Sequence, residues 1–133
     1  MLRLAIFSIL GIIILSFVIP DDKDYFKYVN EEGKMRCKCF KKVIHDEKQL
    51  EKEADRMNKK EMQKPGGVPV IWVNSGDPVD SCLKLNRSAD LKNFVESLDS
   101  LGRKKFEKNV LKYLRSNCNK QYSEIKKLGF ITH

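Results

Sequence analysis

Four cysteines and two histidines are the residues whose chemistry could define a site in this 133-residue chain. Cys37 and Cys39 form a Cys-x-Cys pair, and Cys82 and Cys118 stand alone further along. Thiolate and imidazole groups can bind zinc, but the pair and His45 supply only three ligands and no fourth follows at a suitable spacing. In an oxidising compartment, an even number of cysteines instead predicts two disulfides. We expect no metal and no other cofactor.

His45 and His133 are the only histidines. An acid–base pair of the kind found in secreted ribonucleases would need both, and His133 lies at a terminus, where chains usually fray. No nucleophile motif, phosphate-binding loop or clustered carboxylate pair accompanies them. We therefore expect a protein that is not an enzyme and has no catalytic residues.

Residues 1–20 predict a signal peptide. An arginine stands close to the initiating methionine, and residues 4–19 are apolar except for three small residues. This run is short for a membrane-spanning helix of about 20 residues. No small-residue cleavage motif precedes Asp21, so an uncleaved signal anchor is the alternative. We expect a secreted, extracellular protein, and with an anchor the body of the chain would still face the extracellular side. There the sequon Asn86-Arg87-Ser88 makes Asn86 the predicted glycosylation site, although such triplets also occur by chance.

The chain is basic, with 26 basic and 18 acidic residues. A basic extracellular protein meets sulfated polysaccharides or acidic partner surfaces more often than nucleic acid. Two clusters of basic residues could bind a glycosaminoglycan by releasing its counterions. They comprise Lys41, Lys42, Arg103, Lys104, Lys105, Lys108, Lys112 and Arg115. The alternative is that these residues only keep the protein soluble.

The pattern of apolar and polar residues divides the first two-thirds of the chain. Residues 21–36 show no sustained period and predict a flexible arm. Residues 47–64 are charged and favour a helix with little to pack. Residues 68–73 and 79–85 flank the turn sequence of residues 74–77 and predict two strands, the second carrying a cysteine.

The C-terminal third predicts two amphipathic helices. Asn86 or Ser88 can cap the first, which would run to Leu101. Gly102 separates the helices, and Gly129 is the predicted end of the second. Apolar residues recur at helical spacing in both. They are Leu91, Phe94, Val95 and Leu98 in the first helix, and Phe106, Val110, Leu114, Cys118, Tyr122 and Ile125 in the second.

The order of these features resembles a CXC chemokine. The resemblance covers residues 34–101 and rests on Cys37-Lys38-Cys39, the strand at residues 68–73, Ser81-Cys82-Leu83 and the helix that follows. The separation of Cys39 from Cys82 is close to that of the family's second and fourth cysteines. The chain departs from the family at five points. No cysteine stands near residue 65, a cysteine at position 118 is additional, and residues 50–60, where the family has its first sheet strand, favour a helix here. Leu85 stands where a proline is usual, and Lys34-Met35-Arg36 replaces the Glu-Leu-Arg triplet of neutrophil-attracting members.

The resemblance implies an α+β fold, in which one helix packs across a three-stranded antiparallel sheet and a further C-terminal helix is added. It divides the chain into a signal peptide (1–20), a flexible arm (21–36), a chemokine-like domain (37–101) and a basic helical extension (102–133). It also implies a disulfide between Cys39 and Cys82. Cys37, which lacks its family partner, would then pair with Cys118, and a different pairing or free thiols are the alternatives.

The function implied by the resemblance is that of a secreted ligand of a G-protein-coupled chemokine receptor, which directs cell migration and binds glycosaminoglycans. The expected receptor contacts are Lys34, Met35, Arg36, Lys38, Phe40 and Lys41. A homodimer would be compatible with it, and nucleic acid is not an expected partner. The alternatives are a short-chain helical cytokine, which a helix at residues 47–64 would favour, and a cationic membrane-active antimicrobial protein, which the basic C-terminal helix would favour.

Overall fold

A computed structural model describes residues 22–68 and 76–130, and every regular element in these ranges is an α-helix. The helices are α1 (Asp22–Met62), α2 (Pro78–Asn86), α3 (Ala89–Ser97), α4 (Ser100–Asn117) and α5 (Asn119–Lys127). At 1.5 Å per residue, α1 is about 60 Å long. The other helices pack against its N-terminal part, which contains all of its buried residues. The bundle is therefore organised around one long helix.

The predicted α+β fold with a three-stranded sheet is wrong, since the described residues contain no strand. Residues 79–85, expected as a strand, lie in α2, and residues 50–60 lie in α1. Val68 is exposed and irregular. The rest of the strand predicted at residues 68–73 lies outside the described residues.

Asp77 shows why a helix rather than a strand follows it. Its carboxylate accepts hydrogen bonds from the backbone N–H groups of Val79 and Asp80, at 2.9 and 3.2 Å. Pro78 occupies the first helical turn, where its missing N–H and restricted φ suit a helix. The residue interpreted as part of a hairpin turn is therefore a helix cap.

The segment predicted as a flexible arm is the first part of α1, and it belongs to the core. Buried residues of α1 recur at intervals of three and four, which places them on one face of the helix. The residues with buried side chains are Tyr25, Val29, Glu32, Cys39, Phe40, Val43 and Ile44, and Gly33 is buried as well. Glu32 and the half-buried Arg36 occupy two consecutive positions of this face. The apolar period is interrupted there, so the apolar pattern by itself does not reveal the helix.

Gly33 allows α4 to approach α1. A Cβ atom at position 33 would overlap the ring of Tyr113 on α4. Glycine in a helix interior costs about 0.5–1 kcal/mol relative to alanine. The close contact between the two helices explains why the chain tolerates that cost.

For the C-terminal helices, the predicted caps match the structure better than the predicted helix bounds do. Ser88 caps α3 as predicted, and its hydroxyl accepts a hydrogen bond from the backbone N–H of Leu91 at 3.2 Å. The helix ends at Ser97 instead of Leu101. Asp99 caps α4, so the break between helices precedes Gly102. Gly129, with a φ of 81°, follows the end of α5 as predicted.

The apolar stripe predicted for the C-terminal run is confirmed, because all six of its residues are buried. The apolar stripe predicted for the first C-terminal helix packs against α1. The hairpin predicted from residues 68–73 and 79–85 was its expected partner. The Phe94 ring stacks on Tyr28 with centroids 4.3 Å apart, and it meets Phe106 edge-on at 5.7 Å. Aromatic side chains from α1, α3 and α4 therefore close the N-terminal end of the core.

Candidate functional site

Two disulfides hold α2 and the α4–α5 junction to the middle of α1. Cys37 is bonded to Cys118, and Cys39 to Cys82, with Cα atoms 6.0 and 5.8 Å apart. Residues two apart on a helix point in directions about 160° apart, so the Cys-x-Cys pair reaches both sides of α1. The predicted pairing is confirmed, although the fold that implied it is not.

The candidate zinc ligands are not available as a set. Cys37 and Cys39 are both consumed by disulfides, and His45 is exposed on α1. His133 lies outside the described residues. Among residues 22–68 and 76–130, no group of three histidine, cysteine, aspartate or glutamate side chains is placed to hold a metal ion.

The six predicted receptor contacts do not form one surface, because they all lie on α1 and point in different directions. Phe40 is buried in the core, and Met35 packs against it. Arg36 is held in ion pairs with Glu32 and Glu107. The three remaining contacts are lysines with exposed side chains: Lys34, Lys38 and Lys41.

Those three lysines are part of a much longer row of positive charge, which we call the α1 ridge. It occupies eleven successive positions spaced three or four residues apart, on the face of α1 opposite the core. Its members are Lys23, Lys27, Asn30, Lys34, Lys38, Lys41, His45, Lys48, Lys52, Arg56 and Lys59. All eleven are exposed. The ridge spans about 55 Å, given 1.5 Å of rise per residue.

The charges of α1 are segregated between the ridge and the rest of the helix. α1 contains twelve basic and ten acidic residues, and nine of the basic residues but none of the acidic ones lie on the ridge. Lys48 forms an ion pair with Glu124 at 2.8 Å. Lys27 places its ammonium 5.7 Å from the Tyr28 ring centroid. No acidic side chain on α1 therefore interrupts the ridge.

The sequence contains the signal of this ridge, since its positions repeat with the 3.6-residue period of a helix. The signal was missed because residues 21–36 were interpreted as an arm and residues 50–60 were compared with a strand. Divided in this way, the same lysines form short unrelated clusters. Lys42, predicted to bind glycosaminoglycan, lies off the ridge and pairs with Asp46 at 3.0 Å.

The second predicted basic cluster lies on α4. Lys104, Lys108, Lys112 and Arg115 recur at intervals of four, four and three residues and are exposed. Glu107, the only acidic residue of α4, binds Arg36 of α1. No residue of the α1 ridge lies beside the four α4 cations, so the two rows are separate surfaces.

The two other predicted residues of this cluster have local contacts. Arg103 donates a hydrogen bond from Nε to the Leu98 carbonyl at 3.1 Å. The Lys105 ammonium lies 5.6 Å from the ring centroid of Tyr25. These contacts place Arg103 at the start of α4 and Lys105 beside the aromatic end of the core, away from the row of four cations.

A buried charge network holds the helices in register. The Glu32 carboxylate has no solvent exposure and accepts hydrogen bonds from Arg36 Nε at 2.8 Å and Arg87 Nε at 2.9 Å. Arg36 also donates to both carboxylate oxygens of Glu107, at 2.9 and 2.6 Å. The network connects α1 with α4 and with the residue that follows α2.

Burial of Glu32 by itself favours its neutral form, but hydrogen bonds and charge from Arg87 and Arg36 outweigh burial. The pKa of Glu32 is therefore below its ordinary value. Burial likewise opposes the charge of Arg36, and the two glutamates reverse this effect, so the pKa of Arg36 is raised. The network is an ionised structural element at neutral pH.

The predicted glycosylation sequon has structural roles. Asn86 is exposed at the end of α2, and its side-chain amide donates to the Cys82 carbonyl at 2.7 Å. Arg87 binds the buried Glu32, and Ser88 caps α3. The identity of two of the three sequon residues thus has a structural explanation, and glycosylation of Asn86 stays a prediction.

No protein-family model matches this chain, and searches of the curated proteins and of the solved structures found no significant match. Among the described residues, no helix is long and apolar enough to cross a membrane.

Proposed function

We propose that this protein is a non-catalytic extracellular binding protein that holds linear sulfated polysaccharides along the α1 ridge. The observation that carries the proposal is the row of nine cations on one exposed face of α1, among which no acidic residue of α1 lies and of which Lys48 pairs with Glu124 of α5. Lysine and arginine attract an extended polyanion mainly by releasing its condensed counterions. The two disulfides are compatible with the extracellular location where such polymers occur.

Sulfated polysaccharide fits the ridge better than a membrane does. A helix that inserts into a membrane interface needs an apolar face next to its basic face. The apolar stripe of α1 between Tyr25 and Ile44 is buried against the other helices. The repeating apolar residues of α4 and α5 are buried as well: Phe106, Val110, Leu114, Tyr122 and Ile125. The apolar residues whose amphipathic pattern favoured a membrane-active protein therefore form the core. The disulfides favour an extracellular polyanion over nucleic acid.

Binding to a chemokine receptor or to a helical-cytokine receptor stays a prediction and is not part of this proposal. The expected chemokine mechanism depended on an unstructured arm, and residues 22–36 are helical, with Tyr25 and Val29 buried. The helical fold agrees with a cytokine in general terms. Among the described residues, no exposed surface has features that would identify it as a receptor-binding epitope separate from the ridge.

Heparin affinity tests the proposal directly. We expect the disulfide-bonded protein to be retained on heparin and its affinity to fall steeply as salt rises. The triple variant Lys34→Ser, Lys38→Ser and Lys41→Ser should elute at lower salt. The slope of log K against log [salt] should become shallower by roughly one for each lost contact.

The matched control removes three lysines that lie off the ridge: Lys42→Ser, Lys60→Ser and Lys92→Ser. It changes the net charge by the same amount, and all three positions are exposed. An equal loss of heparin affinity in both triple variants would show that only net charge matters and would refute a ridge. Tighter binding to duplex DNA than to heparin at the same salt would point to nucleic acid as the ligand.

A further inference from the structure

An open cleft of about 1130 Å³ lies between α2, α4 and α5, with α1 beneath it. Its floor is apolar and comes from all four helices: Phe40, Val79, Leu83, Leu114 and Tyr122. No residue of the α1 ridge lines it. Sites for small molecules are typically about 300–1,000 Å³ and mostly apolar, with few polar groups. The cleft slightly exceeds that range. Its floor is apolar, but ten of its seventeen lining residues are polar or charged, which is more than in a typical small-molecule site.

The charged residues around the cleft are unbalanced. Two acidic residues line it, and both are engaged: Asp77 caps α2, and Glu107 binds Arg36. Of the six lining cations, Arg36 of α1 is already paired with Glu32 and Glu107. The other five lie along one wall, which is α4: Arg103, Lys104, Lys108, Lys112 and Arg115. The opposite walls, formed by α2 and α5, present apolar side chains, so the charge available to a ligand is positive and confined to one edge.

We propose that this cleft binds a single-chain anionic lipid of the fatty-acid class. Its acyl chain would lie on the apolar floor, and its carboxylate would meet Lys108 and Lys112 at the α4 edge. This site is separate from the proposed polysaccharide ridge and does not depend on it. Charge complementarity at one edge and apolar surface elsewhere match a ligand with one charged end.

Other occupants fit this arrangement less well. A sulfated polysaccharide has no apolar part to cover the floor. A peptide would bring backbone N–H and C=O groups that need partners when they are buried. The walls are helical, so their own backbone groups are paired within the helices, and no buried side-chain polar atom of the described residues lacks a partner. An acyl chain requires no hydrogen bonds from the floor.

The test is competition binding of the full disulfide-bonded protein with a fluorescent fatty acid, cis-parinaric acid, displaced by oleate. We expect saturable one-to-one binding, with oleyl alcohol at least about tenfold weaker than oleate because it lacks the charge. Lys108→Ser with Lys112→Ser should weaken oleate binding about tenfold. Leu111→Ser, at a half-buried position that lines the cleft, should also weaken it. Circular dichroism checks that each variant keeps its helices.

The control is the double variant Lys34→Ser and Lys38→Ser on the α1 ridge, which should bind oleate like the wild type. The proposal is overturned by absent or non-saturable binding, by equal affinity for the alcohol, or by equal losses in both lysine pairs. Heparin retention, measured on the same proteins, reports on the ridge independently.

Discussion

The carboxylate of Glu32 is fully buried on α1 and is bound by the guanidinium of Arg87, 55 residues further along the chain. Arg87 lies between α2 and α3, and it is directly followed by Ser88, which caps α3 and donates to Glu31 at 2.8 Å. The pair therefore positions the α2–α3 connection on α1. Arg36 extends the same network to α4.

We expect Glu32→Gln to destabilise the protein by about 2–4 kcal/mol. Removal of one partner from a buried ion pair leaves the other charge uncompensated, which typically costs about 3–5 kcal/mol, and the partial exposure of Arg36 and Arg87 reduces that value. Urea denaturation measures the difference. Glu31→Gln is the control, because Glu31 is more exposed and should change stability by less than about 1 kcal/mol. A loss no larger than that of the control would contradict the structural role.

The same carboxylate predicts how stability depends on pH. The pKa of Glu32 is lower in the folded protein than its ordinary value of 4.5. A lowered pKa means that the ionised form stabilises the fold. This stabilisation is complete above pH 4.5 and is lost as the pH falls through the lower folded-state pKa. Urea midpoints measured from pH 7 to pH 2 should fall less steeply in Glu32→Gln. Identical acid slopes in the two proteins would refute this assignment.

Each disulfide should contribute about 2–4 kcal/mol. Loops of 81 residues between Cys37 and Cys118 and of 43 residues between Cys39 and Cys82 are closed, and in the chain-entropy account the longer loop contributes slightly more. Replacement of each pair by serine, followed by denaturation, measures the two values. Mass spectrometry of proteolytic fragments checks the pairing itself. Fragments that join Cys37 to Cys39 or to Cys82 would contradict the structure.

Gly33→Ala should destabilise the protein by about 1–3 kcal/mol, although alanine is the better helix former. The added methyl group would overlap the Tyr113 ring. The half-buried Tyr113 can be shortened, so Tyr113→Leu should remove most of the penalty in the double variant. Denaturation of the two single variants and the double variant forms the cycle. If Gly33→Ala is neutral or stabilising in the wild-type background, the close approach of α1 and α4 does not depend on this glycine.

The sequence by itself determined the local features that depend on neighbouring residues. The helical repeat of Phe106, Val110 and Leu114 predicts a buried stripe because a helix brings every third or fourth residue to one face. Ser88 predicts a cap because its hydroxyl reaches backbone N–H groups only three residues away. The even number of cysteines predicts two disulfides, and their pairing is as expected.

Other local signals are present in the residues but compete with stronger patterns. Asp77 followed by Pro78 is a helix start, yet residues 74–77 are also turn formers and the residues on both sides favour strands. The ridge lysines repeat with a helical period from Lys23 to Lys59, and the division into arm and domain concealed that period. In both cases, at Asp77 and along the ridge, the local sequence itself contains the information that predicts the helix.

Tertiary structure alone decided the role of the first half of α1 and the position of the candidate sites. Glu32 and Arg36 look like surface residues in the sequence, because only Arg87 and Glu107, distant along the chain, make their burial favourable. The cleft combines side chains of four helices, and the separation of the ridge from the α4 cations depends on which face of each helix is buried. Long-range ion pairs and packing determine these relationships, and a single sequence contains no local pattern for them.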